Sequence, residues 1–228
     1  MKPHLIIVLA LVWLGPSLQG RAQITGTSSL VTIPVAEMPP DGSITFGGGF
    51  VDRRYSAYLS GRVDYTPLSV SVGFLPFLEV GFRFSRPLNL DNRERLGDRM
   101  VSARFRILTE GRRRPAIVVG AHDFLTVEER NYFNALYVVA SKHFDAFIPV
   151  GLHAGYGTDL MKALAHQFVG PFGGLSLSII RHGDVLFEYD ADRINAGLRV
   201  DVLDRIRVLL ALQGFDTVIA GASVTFQL

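Results

Sequence analysis

Apolar and polar residues alternate with a period of two along most of this chain, which is the repeat of a β-strand rather than of a helix. Residues 217–228 show the pattern clearly. One face carries Val218, Ala220, Ala222, Val224, Phe226 and Leu228, whereas the other carries Gly221, Ser223, Thr225 and Gln227 together with Ile219. Residues 194–202 and 205–213 repeat the arrangement. The end of the chain is therefore predicted to form three consecutive two-faced strands.

The same alternation extends upstream and predicts about twelve strands. They are expected at residues 43–51, 67–74, 77–85, 99–109, 115–123, 133–144, 148–157, 172–180, 185–190, 194–202, 205–213 and 217–228. Most approach the roughly 9 to 11 residues that a tilted strand needs to cross a bilayer, and they exceed the usual length of soluble strands. The one helical candidate, residues 159–168, lies in a long connection.

A soluble sandwich shows the same alternation, so the pattern alone does not identify a membrane protein. A membrane barrel is favoured by an export signal, by the strand length, and by a polar face rich in glycine, serine and isolated charges, which is typical of a crowded lumen. Connections between the first eight strands alternate long and short, as in bacterial outer-membrane barrels. We therefore predict an all-β fold: a closed antiparallel transmembrane β-barrel of about twelve strands, with both ends periplasmic.

The first 22 residues have the layout of a signal peptide. Lys2 and His4 precede an apolar run at residues 5–14, a Gly-Pro pair follows at residues 15–16, and Ala22 supplies a small residue for cleavage. The run is too short for a spanning helix, which needs roughly 20 residues. We predict cleavage after Ala22 and export to the bacterial outer membrane.

Residues 23–42 are predicted to form an extended N-terminal segment ahead of a barrel at residues 43–228. Pro34, Pro39 and Pro40 prevent it from being an ordinary central strand throughout. We expect the segment either to fold back into the lumen as a plug or to stay in the periplasm and contact a partner.

The amino-acid composition excludes several kinds of functional site. The absence of cysteine excludes disulfides, thiolate nucleophiles and cysteine-ligated metal sites. The 23 basic and 21 acidic residues are nearly balanced, which gives no support for nucleic-acid binding. The six histidines have no close ligand spacing, so neither a metal site nor a cofactor is expected.

Charges of both signs fall on positions predicted to face the lumen. They are Glu79, Arg83, Arg104, Arg106, Lys142, Glu188, Asp190, Arg199, Asp201 and Arg207. Two interpretations stay open: these groups pair into a structural network, or they line a narrow polar path for a charged sugar polymer. The limited width of a barrel of this size favours the structural network.

A hydrolytic site is the remaining chemical alternative. His122 and Asp123 are adjacent near a strand end, and His153 is predicted to face inward beside serines on neighbouring strands. A serine hydrolase needs a serine, a histidine and an acid within hydrogen-bond reach, and nothing in the spacing fixes that geometry. We therefore predict no catalytic residues and a protein that is not an enzyme.

Several pieces of the chain resemble one family of bacterial outer-membrane barrels. They are GTSSLVTIPVAEMPPDG from Gly26, PLSVSVGFLPFLEVGFRFS from Pro67, PAIVVGAHDF from Pro115, LYVVASKHF from Leu136, GPFGGLSLS from Gly170 and VLFEYD from Val185. Together and in this order they are similar to the YjbH-like exopolysaccharide proteins. Ser29 stands where the N-terminal motif usually has a glycine, and this chain would be a short member with a single barrel.

The resemblance implies a role in export or assembly of exopolysaccharide or capsule, without a catalytic mechanism to carry across. The implied partners are outer-membrane lipid, exopolysaccharide and other envelope export proteins. Two alternatives remain: a channel for small solutes, and an outer-membrane enzyme that modifies lipid.

Overall fold

The computed structural model describes residues 24–55, 63–88, 98–125, 133–159, 169–180, 182–203 and 205–228. It contains twelve strands: β1 Ser43–Phe50, β2 Tyr65–Phe74, β3 Leu78–Pro87, β4 Asp98–Leu108, β5 Ala116–His122, β6 Ala135–Phe144, β7 Val150–Thr158, β8 Gly170–Ile180, β9 Gly183–Tyr189, β10 Ile194–Leu203, β11 Ile206–Gln213 and β12 Thr217–Gln227. Each pairs antiparallel with its neighbours in the chain, and β1 pairs with β12, which closes the barrel. The predicted all-β fold, a closed antiparallel barrel of about twelve strands, is confirmed. The predicted signal peptide and most of the helical candidate lie outside the described residues.

The two faces of the strands differ as the alternation predicted. Apolar side chains such as Leu68 and Leu210 point outward and are 51% and 53% exposed. Ser69, Ser71 and their counterparts on other strands point into the lumen and are buried. Because side chains alternate across a strand, each strand contributes to an apolar outer belt and to a polar interior.

The two ends of the barrel differ in their connections. Residues 75–77, 109–115 and 145–149 connect strands at one end, here called the turn end. The first eight strands are joined at the opposite loop end by longer connections, at residues 51–64, 88–97, 123–134 and 159–169. Ser43 pairs with Gln227 at the turn end, so the chain enters and leaves the barrel there. Among the described residues, no helix has the length and apolar character needed to cross a membrane.

The N-terminal segment, residues 24–42, enters the lumen. Residues 24–36 are all buried, and a turn closes at its tip where the Leu30 N–H donates to the Ile33 carbonyl at 2.9 Å. Glycines on the wall permit this close approach. A Cβ on Gly81 would lie 2.3 Å from the Gly26 oxygen, and a Cβ on Gly174 would lie 2.5 Å from the Leu30 side chain. The apolar core therefore forms between the segment and the inner wall, where Leu186, Leu209 and Ile219 are buried.

Candidate functional site

The tip of the N-terminal segment surrounds one buried carboxylate. Glu188 accepts the backbone N–H of Val31 and of Thr32 at 2.9 Å each, and that of Ile33 at 3.2 Å. The Thr32 hydroxyl donates at 2.6 Å, and the Asn195 amide donates from the wall at 3.0 Å. Successive N–H groups in a turn converge on one point and form an anion-binding concavity. Glu188 thus anchors the tip to β9.

A buried ion pair holds the next part of the segment. Glu79 and Arg104 are opposite each other on β3 and β4, with Arg104 Nε 3.3 Å from Glu79 Oε2. Arg104 donates to the carbonyls of Val35 and Glu37 at 2.7 Å each, and also to that of Ser28. Glu79 accepts the Ser28 N–H at 3.1 Å. A buried ion pair needs such extra hydrogen bonds to offset its desolvation, and the segment supplies them.

Arg83 secures the beginning of the described segment. Its guanidinium donates to the Ile24 carbonyl at 3.4 Å and lies 4.7 Å from the centre of the Phe133 ring. Glu79, Arg83, Arg104 and Glu188, together with residues 24–36, define what we call the filled region of the lumen.

A polar cavity of about 450 Å³ lies at the turn end, beside the filled region. Its ionisable lining consists of Asp184, Arg199, Asp201 and Arg207, here called the cavity region, together with Glu37, His143, His153 and His182. Arg199 Nη2 lies 2.8 Å from Asp184 Oδ2, and Arg207 Nη2 lies 2.6 Å from Asp201 Oδ2. Both pairs join residues directly opposite in the strand register, so these charges neutralise each other locally.

A cluster of titratable groups, the rim cluster, lies where the segment leaves the lumen beside the cavity. It contains Glu37 of the segment, Glu110 of the β4–β5 turn, His143 of β6 and His153 of β7. His143 lies between the carboxylates, with Nε2 2.8 Å from Glu37 and Nδ1 2.7 Å from Glu110. Although burial opposes the shift, hydrogen bonds from His143 and Lys142 lower the pKa of Glu110 to about 2.

Two serine–histidine pairs lie on the lumen face of the barrel wall. Ser102 Oγ is 2.9 Å from His122 Nδ1, and Ser141 Oγ is 2.8 Å from His153 Nδ1. All four side chains are buried. Asp123, whose pKa burial raises to about 6, accepts the Phe133 N–H at 3.1 Å. Both serines face the lumen and not the apolar outer belt, an arrangement that suits a structural hydrogen bond better than attack on a membrane lipid.

The remaining charges predicted to face the lumen have several environments. Arg106 is half-buried at the turn end, where it donates to the Pro76 carbonyl. Asp190 caps the β9–β10 turn by accepting the Arg193 N–H at 2.7 Å. The inward assignment of Lys142 is wrong: it pairs with the outward Leu152, and its amine reaches Glu110 at 2.7 Å.

Sequence reasoning missed Glu37 and His143 as members of a cluster. A signal existed for the histidines, because the tight β6–β7 hairpin pairs Ser141 with His153 and so sets His143 and His153 diagonally on the same face. No local pattern indicated that Glu37 would join them, since its position depends on how the segment folds back.

Two solved structures with similar barrels are outer-membrane phospholipases. The Salmonella typhi outer membrane phospholipase (OMPLA) dimer with bound calcium has 12% identity and a TM-score of 0.45, over 82% of this chain and 91% of that chain. Outer membrane phospholipase A from Escherichia coli has 11% identity and a TM-score of 0.41, over 82% of this chain and 96% of that chain. These values are too low to bear on activity. No curated protein sequence matches the chain significantly.

A family comparison is more informative. The sequence model of the YjbH family, described as exopolysaccharide biosynthesis protein YbjH, matches residues 23–179. The match spans the N-terminal segment and the strands up to β8, and it contains all the similar pieces except VLFEYD at residues 185–190. The resemblance noted from the sequence is thereby confirmed, and the chain belongs to the YjbH family of exopolysaccharide biosynthesis proteins.

Proposed function

We propose that this protein is a non-enzymatic outer-membrane barrel of exopolysaccharide export or assembly, whose lumen is closed by its own N-terminal segment. The observation that carries the proposal is the burial of residues 24–36 against Glu79, Arg104 and Glu188. A lumen occupied in this way suits gating or scaffolding better than free diffusion. The family supplies the link to exopolysaccharide, and other envelope export proteins are the expected partners.

The outer face supports a position in the membrane. Leu68, Leu198 and Leu210 are each more than two-fifths exposed on the outside of the barrel. Exposed apolar area costs about 25 cal/mol per Å² in water, so a continuous belt of such residues requires a cover. Lipid is the cover that a closed barrel with no free edge accepts.

Location is tested in cells and in bilayers. The protein should fractionate with the outer membrane and migrate differently on gels before and after heating. Because the chain lacks cysteine, a single Leu198→Cys variant can carry a fluorescent probe whose emission lipid-phase nitroxides quench and aqueous iodide does not. Recovery as a soluble periplasmic monomer, or iodide quenching at residue 198, would contradict the proposal.

Closure is tested by conductance in planar bilayers. The full-length protein should pass little current, whereas a variant lacking residues 24–36 should pass a steady current, provided that heat-modifiable migration shows it has folded. A large current in the full-length protein would instead favour the small-solute channel.

A lipid-modifying enzyme remains the second candidate because Ser102 and His122 are within hydrogen-bond distance. We expect Ser102→Ala to leave lipid turnover in the outer membrane unchanged. A loss of turnover in this variant, with the barrel still folded, would favour the enzyme.

A further inference from the structure

The rim cluster brings metal-ligand chemistry to the contact between the N-terminal segment and the barrel wall. Glu37 Oε1 lies 2.8 Å from His143 Nε2 and 3.7 Å from His153 Nδ1. One donor atom from each of the three residues can be chosen so that all lie within 4.8 Å of one another. We propose that Glu37, His143 and His153 bind one divalent transition-metal ion of the Zn²⁺ type, which fastens the segment to the β6–β7 hairpin.

The donor set and its spacing suit such an ion. Two imidazoles and one carboxylate form a known set of protein ligands for zinc, with a fourth position left for water. Bonds of 2.0 to 2.2 Å place tetrahedral donors roughly 3.3 Å apart. The observed 2.8 and 3.7 Å each differ from that spacing by about half an ångström, which small rotations of the exposed His143 and the partly buried Glu37 around the buried His153 can accommodate.

A second layer of contacts prepares the imidazoles. Glu110 lies 2.7 Å from His143 Nδ1 and is itself held by the Lys142 amine at 2.7 Å. A carboxylate on one ring nitrogen fixes the histidine tautomer, so that the other nitrogen presents its lone pair to the metal. The same arrangement recurs behind many metal-bound histidines.

Ser141 contacts the same nitrogen of His153 that would bind the ion, so its hydrogen must turn to another acceptor when the ion binds. Its hydroxyl lies 2.8 Å from His153 Nδ1, and it also accepts the Ala36 N–H at 2.7 Å. The Ser141 hydrogen has a second acceptor in Glu37 Oε2 at 3.4 Å. Rotation of one hydroxyl therefore leaves His153 Nδ1 available to the ion.

The surroundings predict which ion binds. Imidazole nitrogen favours Zn²⁺, Cu²⁺ and Ni²⁺, whereas Ca²⁺ and Mg²⁺ prefer sites built from oxygen. The cavity beside the cluster provides space for a water ligand. Its arginines are already paired with Asp184 and Asp201, which reduces their repulsion of a cation.

The test is a titration of the full chain, folded in detergent and stripped with a chelator. Zn²⁺ is added in competition with a chromophoric chelator, and Co²⁺ is added separately to read its visible absorption. We expect one saturable equivalent of Zn²⁺, a Co²⁺ spectrum typical of four-coordination, and no displacement by Ca²⁺ or Mg²⁺. Failure of the folded wild type to bind one equivalent would overturn the proposal.

Variants separate ligands from neighbours. Glu110→Gln should weaken Zn²⁺ binding about 10- to 100-fold, and His143→Ala and His153→Ala should weaken it more. His182→Ala is the matched control, because His182 lines the same cavity outside the cluster and should bind as the wild type does. Equal affinity in the wild type and both cluster histidine variants would overturn the site.

Glu37→Gln tests the link to the segment, since it keeps the size of the side chain and removes the anionic ligand. We expect it to weaken Zn²⁺ binding and to abolish any metal-dependent protection of residues 24–42 from protease. Wild-type affinity in folded Glu37→Gln would contradict the bridging role. These measurements do not depend on the proposed export function, so the two proposals can fail separately.

Discussion

In the filled region, charged side chains of the wall bind the backbone of a distant segment, even where two of them, Glu79 and Arg104, also pair with each other. In the cavity region, the arginines pair instead with acids on neighbouring strands. Glu79 and Glu188 accept hydrogen bonds from groups 51 and 155 to 157 residues away in the chain. Arg199 and Arg207 pair with acids 15 and 6 residues away across neighbouring strands. Charges of similar appearance in the sequence therefore have two different roles.

The two regions differ in the surroundings of a charged side chain whose partner has been removed by mutation. In the cavity region, a charge that loses its partner still faces the cavity of about 450 Å³, where water can hydrate it. In the filled region, it leaves buried backbone groups or a buried ion without a partner, which costs much more than the net contribution of the hydrogen bond. Comparing substitutions in the two regions tests this distinction.

The largest effect is expected for Arg104→Met. The variant keeps much of the side-chain volume but leaves Glu79 as a buried charge without its ion pair, so the free energy of unfolding should fall by about 3 to 5 kcal/mol. The measurement is urea unfolding of the detergent-folded protein.

Two further variants test whether that loss comes from the buried, unpaired charge of Glu79. Arg199→Met, in the cavity region, should cost roughly 1 kcal/mol because its partner remains partly hydrated. The double variant Glu79→Gln/Arg104→Met should recover part of the loss. Equal losses for Arg104→Met and Arg199→Met would remove the distinction between the regions.

A smaller loss, of about 2 to 3 kcal/mol, is expected for Glu188→Gln. Glutamine preserves the shape, but its amide NH₂ replaces an acceptor and faces the N–H groups of Val31, Thr32 or Ile33 in either orientation. Urea unfolding measures the loss, and proteolysis of residues 24–42 reports release of the segment. Asp184→Asn is the control, with an expected change of roughly 1 kcal/mol or less; a larger change there than at Glu188 would contradict the comparison.

The barrel was predictable because its strands are defined by neighbouring residues. Where only one face is apolar, as in β10, the alternation predicts both the strand and its orientation. In β6, Tyr137 and Val139 are apolar on the lumen face as well, so the frame is not defined locally. That ambiguity explains the wrong assignment of Lys142.

Apart from the Glu79–Arg104 pair, which strand register also sets, the contacts of the filled region and the rim cluster were not predictable in the same way. The cavity pairs follow from strand register, since Asp184 and Asp201 lie directly opposite Arg199 and Arg207. The contacts of Glu37 and Glu188 depend instead on how a proline-containing segment packs inside the closed barrel. The sequence indicated a glycine-rich polar face lining a crowded lumen. The structure adds that Gly81 and Gly174 on this face make room for the segment.

Two lumen serines of equal burial sharpen the comparison further. Ser69 and Ser176 are both 8% exposed, yet Ser69 lies against the segment at Gly26 and Ser176 lines the cavity. Ser69→Arg should lower the free energy of unfolding by about 1 to 3 kcal/mol through overpacking, and it should expose the segment to protease. Ser176→Arg should change both measurements little, because the cavity accepts the longer side chain. A greater loss for Ser176→Arg than for Ser69→Arg would contradict the expected difference in free space between the two sites.

The smallest effect expected is a pH dependence from Asp123, at the loop end beside the filled region. Burial raises the pKa of Asp123 to about 6, against 3.8 for an ordinary aspartate. The folded state therefore binds a proton more readily than the unfolded state between these values, so this group makes the protein more stable as the pH falls through 6. From pH 7 to pH 5 its contribution should be about 1 kcal/mol.

Asp52 does not interfere with this measurement, because the backbone N–H of Arg54 lowers the pKa of Asp52 below this window. Other acids add their own slopes, so the useful quantity is the difference between wild type and Asp123→Asn, measured by urea unfolding at pH 5, 6 and 7. The wild type should gain stability relative to Asp123→Asn as the pH falls, whereas a constant difference would mean that Asp123 is hydrated in the folded protein.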